Sequence, residues 1–188
     1  GGQGIERVDN PELHEAMAIA KQQGKARFFG VTGHDGDLMG IMNHVLDTGK
    51  FDTILCRYNH LSYPEEAALF ERAHGQGVGT FCMKTLAGGK QVDLSAFKGP
   101  GISYAQSALR WALSNPHLSS ALISIVSTDQ VDEYAGASGT PFAALDRGIL
   151  DEYARQNGTE VCRFCNKCEE LCPHQVPVAN ALRADMYA

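Results

Sequence analysis

No apolar run in this 188-residue chain approaches the roughly 18 residues that cross a bilayer as a helix. The N-terminal stretch also lacks the charged-then-apolar pattern of a secretory leader. A membrane partner is not expected, and the cytoplasm is the expected location. A basic block is missing too. Sixteen Lys and Arg stand against 22 Asp and Glu, a net charge of -6, so nothing here neutralises a phosphate backbone, and nucleic acid is not an expected partner. The chain opens Gly1-Gly2 with no initiator Met, so a portion upstream is expected. Cysteine is scarce outside one place. Of six, Cys56 and Cys82 stand alone in apolar runs and read as inert core thiols, while the other four crowd into residues 162–172. That clustering argues for metal rather than a disulfide framework, and for a reducing compartment.

What is present suits an ordinary folded domain: 44% hydrophobic residues and 20 glycines, enough for a core and for the tight turns between alternating strands and helices. Asn10-Pro11 marks a helix start, because Asn caps and Pro is tolerated at the first helical position; the helix runs to about Gln23, before Gly24. Strands are expected over 26–31, 51–56, 78–83 and 121–126, and helices over 38–46, 64–74 and 103–114, from Asp129, and around 142–156. Strand-then-helix units repeated in this way imply parallel strands joined by right-handed crossovers, an α/β architecture. Four units are too few to close an eight-stranded barrel, and an open sheet exposes its edges. Asn157-Gly158-Thr159 marks a boundary between residues 1–157 and an appendage, 158–188, that ends in a short helix over 178–186.

Within the appendage, Cys162, Cys165, Cys168, Cys172 and Pro173 spell C-x2-C-x2-C-x3-C-P, the spacing of bacterial ferredoxins. Three thiolates spaced two residues apart on a tight backbone reach three irons of one [4Fe-4S] cubane, and the proline turns the chain away. A four-cysteine zinc site is the alternative, although it usually pairs two C-x2-C knuckles across a longer gap. Cys172 either completes this cluster or reaches for another, as the cysteine before proline does in two-cluster ferredoxins.

The rest of the chain resembles a known family. Gly24-Lys25-Ala26-Arg27-Phe28-Phe29-Gly30-Val31-Thr32-Gly33-His34 is similar to the G-K-x-R-x-x-G-V-S strand of aldo/keto reductases. Phe51 through Arg57-Tyr58-Asn59 resembles the strand that follows it. Gly77 through Met83-Lys84-Thr85-Leu86-Ala87-Gly88-Gly89 and Ala108 through Pro116 match in the same order. Residues 124–134 resemble the segment that holds the adenosine end of NADP in that family. With the cysteine tail, the chain resembles the aldo/keto reductase subgroup that carries a ferredoxin-like segment.

The resemblance implies a TIM barrel, of which this chain has the last four strand-helix units, a half barrel, followed by the iron-sulfur segment. It implies an NAD(P)H-linked interconversion of carbonyl and alcohol on a small-molecule substrate. The catalytic Asp, Tyr, Lys and His of the family lie on the first four strands, which have no counterpart here, so no catalytic residue is named. The cofactor contacts do carry over. Thr32 takes the place of the Ser at the nicotinamide carboxamide, and Gly33 the place of the usual Asn. Arg57 and Asn59 end the next strand. Met83 stands where many members stack an aromatic ring, Lys84 and Thr85 approach the pyrophosphate, and Ser124, Gln130 and Glu133 match the adenosine contacts. Read without the family, a Met at a strand end is core and a Thr or Ser after a strand caps a turn. NADH and NADPH are both open as the cofactor. A redox protein is a further expected partner if the cluster relays electrons rather than clipping the tail. A reading from another class is a non-catalytic iron-sulfur module for electron transfer or binding, in which two half barrels dimerise to hide their edges.

Overall fold

Helix α1 (Gly2–Val8) leads into Asn10, whose side-chain oxygen accepts from the amides of Glu12 at 2.8 Å and Leu13 at 3.4 Å. That cap, with Pro11 at the first helical position, starts α2 (Pro11–Gln22) where the sequence expects it. In this computed structural model, residues 2–34, 37–61, 64–89, 92–158 and 167–185 are described. In chain order there follow β1 (Gly30–Thr32), α3 (Leu38–Thr48), β2 (Thr53–Arg57), α4 (Glu65–Gly75) and β3 (Gly79–Met83). A short hairpin, β4 (Lys98–Gly99) and β5 (Ile102–Ser103), precedes α5 (Tyr104–Leu113). Strand β6 (Ser120–Ala121), α6 (Thr128–Ala135), α7 (Ala144–Asn157), α8 (Lys167–Glu170) and α9 (Val178–Asp185) complete the described elements.

The main sheet has four strands in the order β1-β2-β3-β6, all parallel. Each strand lies beside the one before it, with no reversal of direction across the sheet. Right-handed crossovers in one direction put the connecting helices on a single face, which is how a (β/α) barrel is wound and a doubly wound sheet is not. Ile54, Cys56 and Cys82 are wholly buried beneath α3 and α4 with Met42, Val45, Leu69 and Phe70. Alternate residues point the other way. That second face carries Leu55, Phe81 and Met83, half-buried, and Leu122, 45% exposed, and none of them belongs to either buried cluster. A second core joins α5 and α7 around Tyr104, Ala108, Leu150 and Tyr153. Between those helices Asp146 is fully buried and satisfied: Ser107 Oγ donates to Oδ1 at 3.0 Å, Arg110 Nη1 at 3.2 Å, and the Ala143 amide donates to Oδ2 at 2.9 Å.

Two strands are shorter than their apolar runs suggest, and pairing explains both. Residues 26–29 precede the paired part of β1, which opens at Gly30 opposite Thr53, and Phe28 is 65% exposed. Beyond Ala121, the last ladder bond runs from the Leu122 amide to the Cys82 carbonyl at 2.7 Å. Neighbouring β3 stops at Met83 and no described strand lies on the other side, so residues 123–126 have nothing to pair with. The β4–β5 hairpin is absent from the sequence reading because two-residue strands carry no alternation. Among the described residues no helix is long and apolar enough to cross a membrane.

Candidate functional site

Thr32, Arg57 and Met83 end three successive strands, and Ser124 follows the fourth, so the topology brings the sequence-predicted contacts to one end of the sheet. Parallel barrels build their sites at this C-terminal end. Thr32 is exposed on the edge strand. Gly33 donates its amide to the Leu55 carbonyl at 3.2 Å. A Cβ at position 33 would press on Leu38 Cδ1 and Met42 Cε, the tips of two buried side chains, which would have to turn aside. The position therefore presents backbone where the resembling family presents an amide side chain.

Arg57 is 7% exposed and pairs with Glu66 of α4, Nη2 to Oε1 at 2.9 Å, while Glu66 is 1% exposed. Burial pushes the Glu66 carboxyl up, and the Arg57 charge beside it pulls in the opposite direction. Asn59 ties two loops together: its Nδ2 donates to the Lys84 carbonyl at 3.0 Å and its Oδ1 accepts from the Leu61 amide at 3.0 Å. Met83 is half-buried beside Arg57, its partner in register. Lys84 follows with φ 60°, and Thr85 is 2% exposed with Oγ1 3.7 Å from Cys82 Sγ. Thr85 thus directs its hydroxyl into the core.

On the far side, Gln130 of α6 accepts from the Val126 amide at 2.8 Å, shaping the exposed segment that contains Ser124. Glu133 lies one turn further along α6, and its carbonyl accepts from Gln106 Nε2 at 2.9 Å. Of the four clustered cysteines, Cys162 and Cys165 lie outside the described residues. Cys168 on α8 and Cys172 one turn later are half-buried free thiols. Glu169 Oε1 accepts from the Ala179 amide at 3.2 Å and joins α8 to α9. Among the described residues no group of three His, Cys, Asp or Glu side chains could hold a metal, and two of the four cysteines are not among them.

One cluster has no counterpart in the sequence reading. His60, after the Arg57-Tyr58-Asn59 strand end, packs edge-on against Tyr104, Tyr153 and Trp111, with ring centroids 5.9, 5.7 and 6.4 Å away. Neither imidazole nitrogen has a hydrogen-bond partner, and burial pushes its pKa down from 6.5 to about 4. His60 is therefore neutral at pH 7. A single loop histidine gives no sequence signal of this, because the aromatic wall comes from two helices distant in the chain.

No family model matches the chain. It is similar to L-galactose dehydrogenase of Arabidopsis thaliana, at 26% identity over 164 residues, which cover 75% of this chain and 51% of that protein. Among solved structures it is similar to the aldo-keto reductase AKR11C1 from Bacillus halodurans in its holo form, at a TM-score of 0.57 and 21% identity, covering 77% of this chain and 57% of that one. The apo form gives a TM-score of 0.55 at 20% identity. The chain spans about half the length of the curated relative it matches. These neighbours support the aldo/keto reductase resemblance, and the parallel α/β fold resembles the barrel of those solved structures.

Proposed function

We propose that this chain is the cofactor-binding, C-terminal part of an NAD(P)H-linked aldo/keto reductase, followed by a [4Fe-4S] segment at residues 158–188. The observation that carries the reading is the edge formed by Thr32, Arg57, Met83 and the loop at Lys84, all at the C-terminal ends of parallel strands that, among the described residues, are covered on one face only. Parallel sheets are normally buried on both faces. The half-buried Leu55 and Phe81 and the exposed Leu122 fit a sheet that further strand-helix units close into a barrel. Those units would supply the acid-base residues that this chain lacks, and a small carbonyl compound would be the substrate.

A dinucleotide would lie along the strand ends. Thr32 and the Gly33 backbone would meet the carboxamide, Met83 would give the nicotinamide an apolar contact, and Lys84 with the amides of the following loop would meet the pyrophosphate. Ser124, Gln130 and Glu133 would meet the adenosine. Bound there, the nicotinamide supplies hydride chemistry, and this chain's part is to orient the ring and hold its charge. The donor set Cys162, Cys165, Cys168 and Cys172 fits a cubane in type and spacing, and Cys168 on α8 and Cys172 just beyond its end are free thiols. A reducing compartment such as the cytoplasm suits such a cluster.

Titrating this chain with NADPH and with NADH, following nicotinamide fluorescence, tests the reading. Saturable binding without oxidation of NADPH by an added aldehyde is expected, and absence of binding to either nucleotide would overturn it. A second reading rests on the two sheet edges, β1 and β6, that no described strand pairs, and on Val126, 87% exposed. In it, two copies pair their half barrels into an electron-transfer module without reductase chemistry. A dimer by light scattering that binds neither nucleotide would favour it.

A further inference from the structure

We propose that Tyr104 and Tyr153 are positioning residues for loop 84–89, and that the loop they hold seats the pyrophosphate of the dinucleotide; the phosphate assignment rests on the function proposed above. After β3 the chain reverses through three residues with positive φ: Lys84 at 60°, Ala87 at 49° and Gly88 at 83°. Only the last is a glycine. Such conformations persist at residues with a Cβ only where the surroundings over-determine them. Here the surroundings are donors from three separate segments. Asn59 Nδ2 donates to the Lys84 carbonyl at 3.0 Å, Tyr104 Oη on α5 to the Leu86 carbonyl at 3.1 Å, and Tyr153 Oη on α7 to the Ala87 carbonyl at 3.0 Å. Inside the loop, the Ala87 amide donates to the Lys84 carbonyl at 3.1 Å and the Gly89 amide to the Leu86 carbonyl at 2.8 Å.

In a trans peptide the N–H points opposite to the C=O. Drawing the Ala87 carbonyl into the protein therefore aims the amide of Gly88, a half-buried residue, the other way. An amide directed outward from a left-handed turn is a donor suited to an anion, here four residues after Lys84. The two tyrosines are built to hold still. Tyr104 is 1% exposed and Tyr153 is fully buried, their rings lie 4.3 Å apart at 33°, and Phe97 packs edge-on against Tyr153 at 5.2 Å. His60 closes the cluster from the other side. Burial pushes both phenols up, so each stays a donor at any working pH.

The test uses Tyr104→Phe and Tyr153→Phe, which keep the rings and remove only the hydroxyls. NADPH binding is read from nicotinamide fluorescence and compared with adenosine 2′,5′-bisphosphate, which lacks the pyrophosphate. Each variant is expected to weaken NADPH roughly five- to tenfold, the loss of about one hydrogen bond, and to leave the bisphosphate within about twofold. Amide hydrogen exchange over 85–89 is expected to accelerate while β2 and β3 stay protected. Gly88→Ala, at a φ that disfavours any side chain, should give the same selective loss with both hydroxyls intact. Unchanged NADPH affinity in the tyrosine variants, or a parallel weakening of both ligands, would overturn the positioning role. A wild-type chain that does not bind NADPH would overturn the proposed function and the phosphate seat with it.

Discussion

Lowering the pH from 7 to 5 should weaken this fold through His60 in particular. Its folded pKa of about 4 lies below its ordinary value of 6.5 because burial among aromatic rings disfavours the imidazolium. A group depressed in the folded state leaves the full stability in place above pH 6.5. As pH falls below that value the unfolded chain takes up a proton that the folded chain refuses, and stability is lost until about pH 4. Integrated over the whole window the loss is about 3 kcal/mol, of which about 2 kcal/mol falls between pH 7 and pH 5. The faces around the ring belong to Tyr104, Tyr153 and Trp111, which stay neutral throughout. Urea unfolding followed by Trp111, the single tryptophan, measures it directly in wild type and His60→Phe. The phenylalanine keeps the ring contacts without titrating, so its decline from pH 7 to pH 5 should be smaller by about 2 kcal/mol. Identical declines in the two proteins would refute a buried neutral His60.

Removing Glu66 from the buried Arg57–Glu66 pair takes the carboxylate away from a guanidinium that is 7% exposed. Glu66→Met should therefore cost about 3 kcal/mol, and Arg57→Met/Glu66→Met should recover much of it in the same urea assay. Placing the family's amide at Gly33, as Gly33→Asn, should destabilise by about 1 kcal/mol as the tips of Leu38 and Met42 turn aside, read as a lower thermal midpoint. Cys56 and Cys82 are wholly buried and burial pushes their thiols up to about 12 and about 11. Ellman's reagent should therefore leave both unmodified in the native chain and react with both only after unfolding.

The parts of this fold that rest on local chemistry are legible in the sequence. Asn10-Pro11 starts a helix because the cap is a side chain acting on amides two and three residues away. The order of strands and helices follows from apolar runs broken by glycine, and right-handed crossovers then leave few topologies. Strand lengths are less legible, since an apolar run such as 121–126 becomes strand only where a neighbour offers partners. At the site, the strand ends carrying Thr32, Arg57 and Met83 can be read from the chain. The buried ion pair beneath Arg57 and the ring cluster around His60 cannot, because both arise from helices that only the folded sheet brings near. Gly33 stands between these cases. The sequence marks the missing amide side chain, and only the fold shows that the tips of Leu38 and Met42 lie where it would begin.

The proposed function puts a nicotinamide edge and a cluster segment on one polypeptide, and the cluster is the part that can be counted directly. Iron and acid-labile sulfide should be counted in the chain reconstituted without oxygen, in wild type and in Cys168→Ser. About four irons and four sulfides per wild-type chain, falling sharply in the variant, is the expected result. One zinc per chain with no sulfide would contradict it.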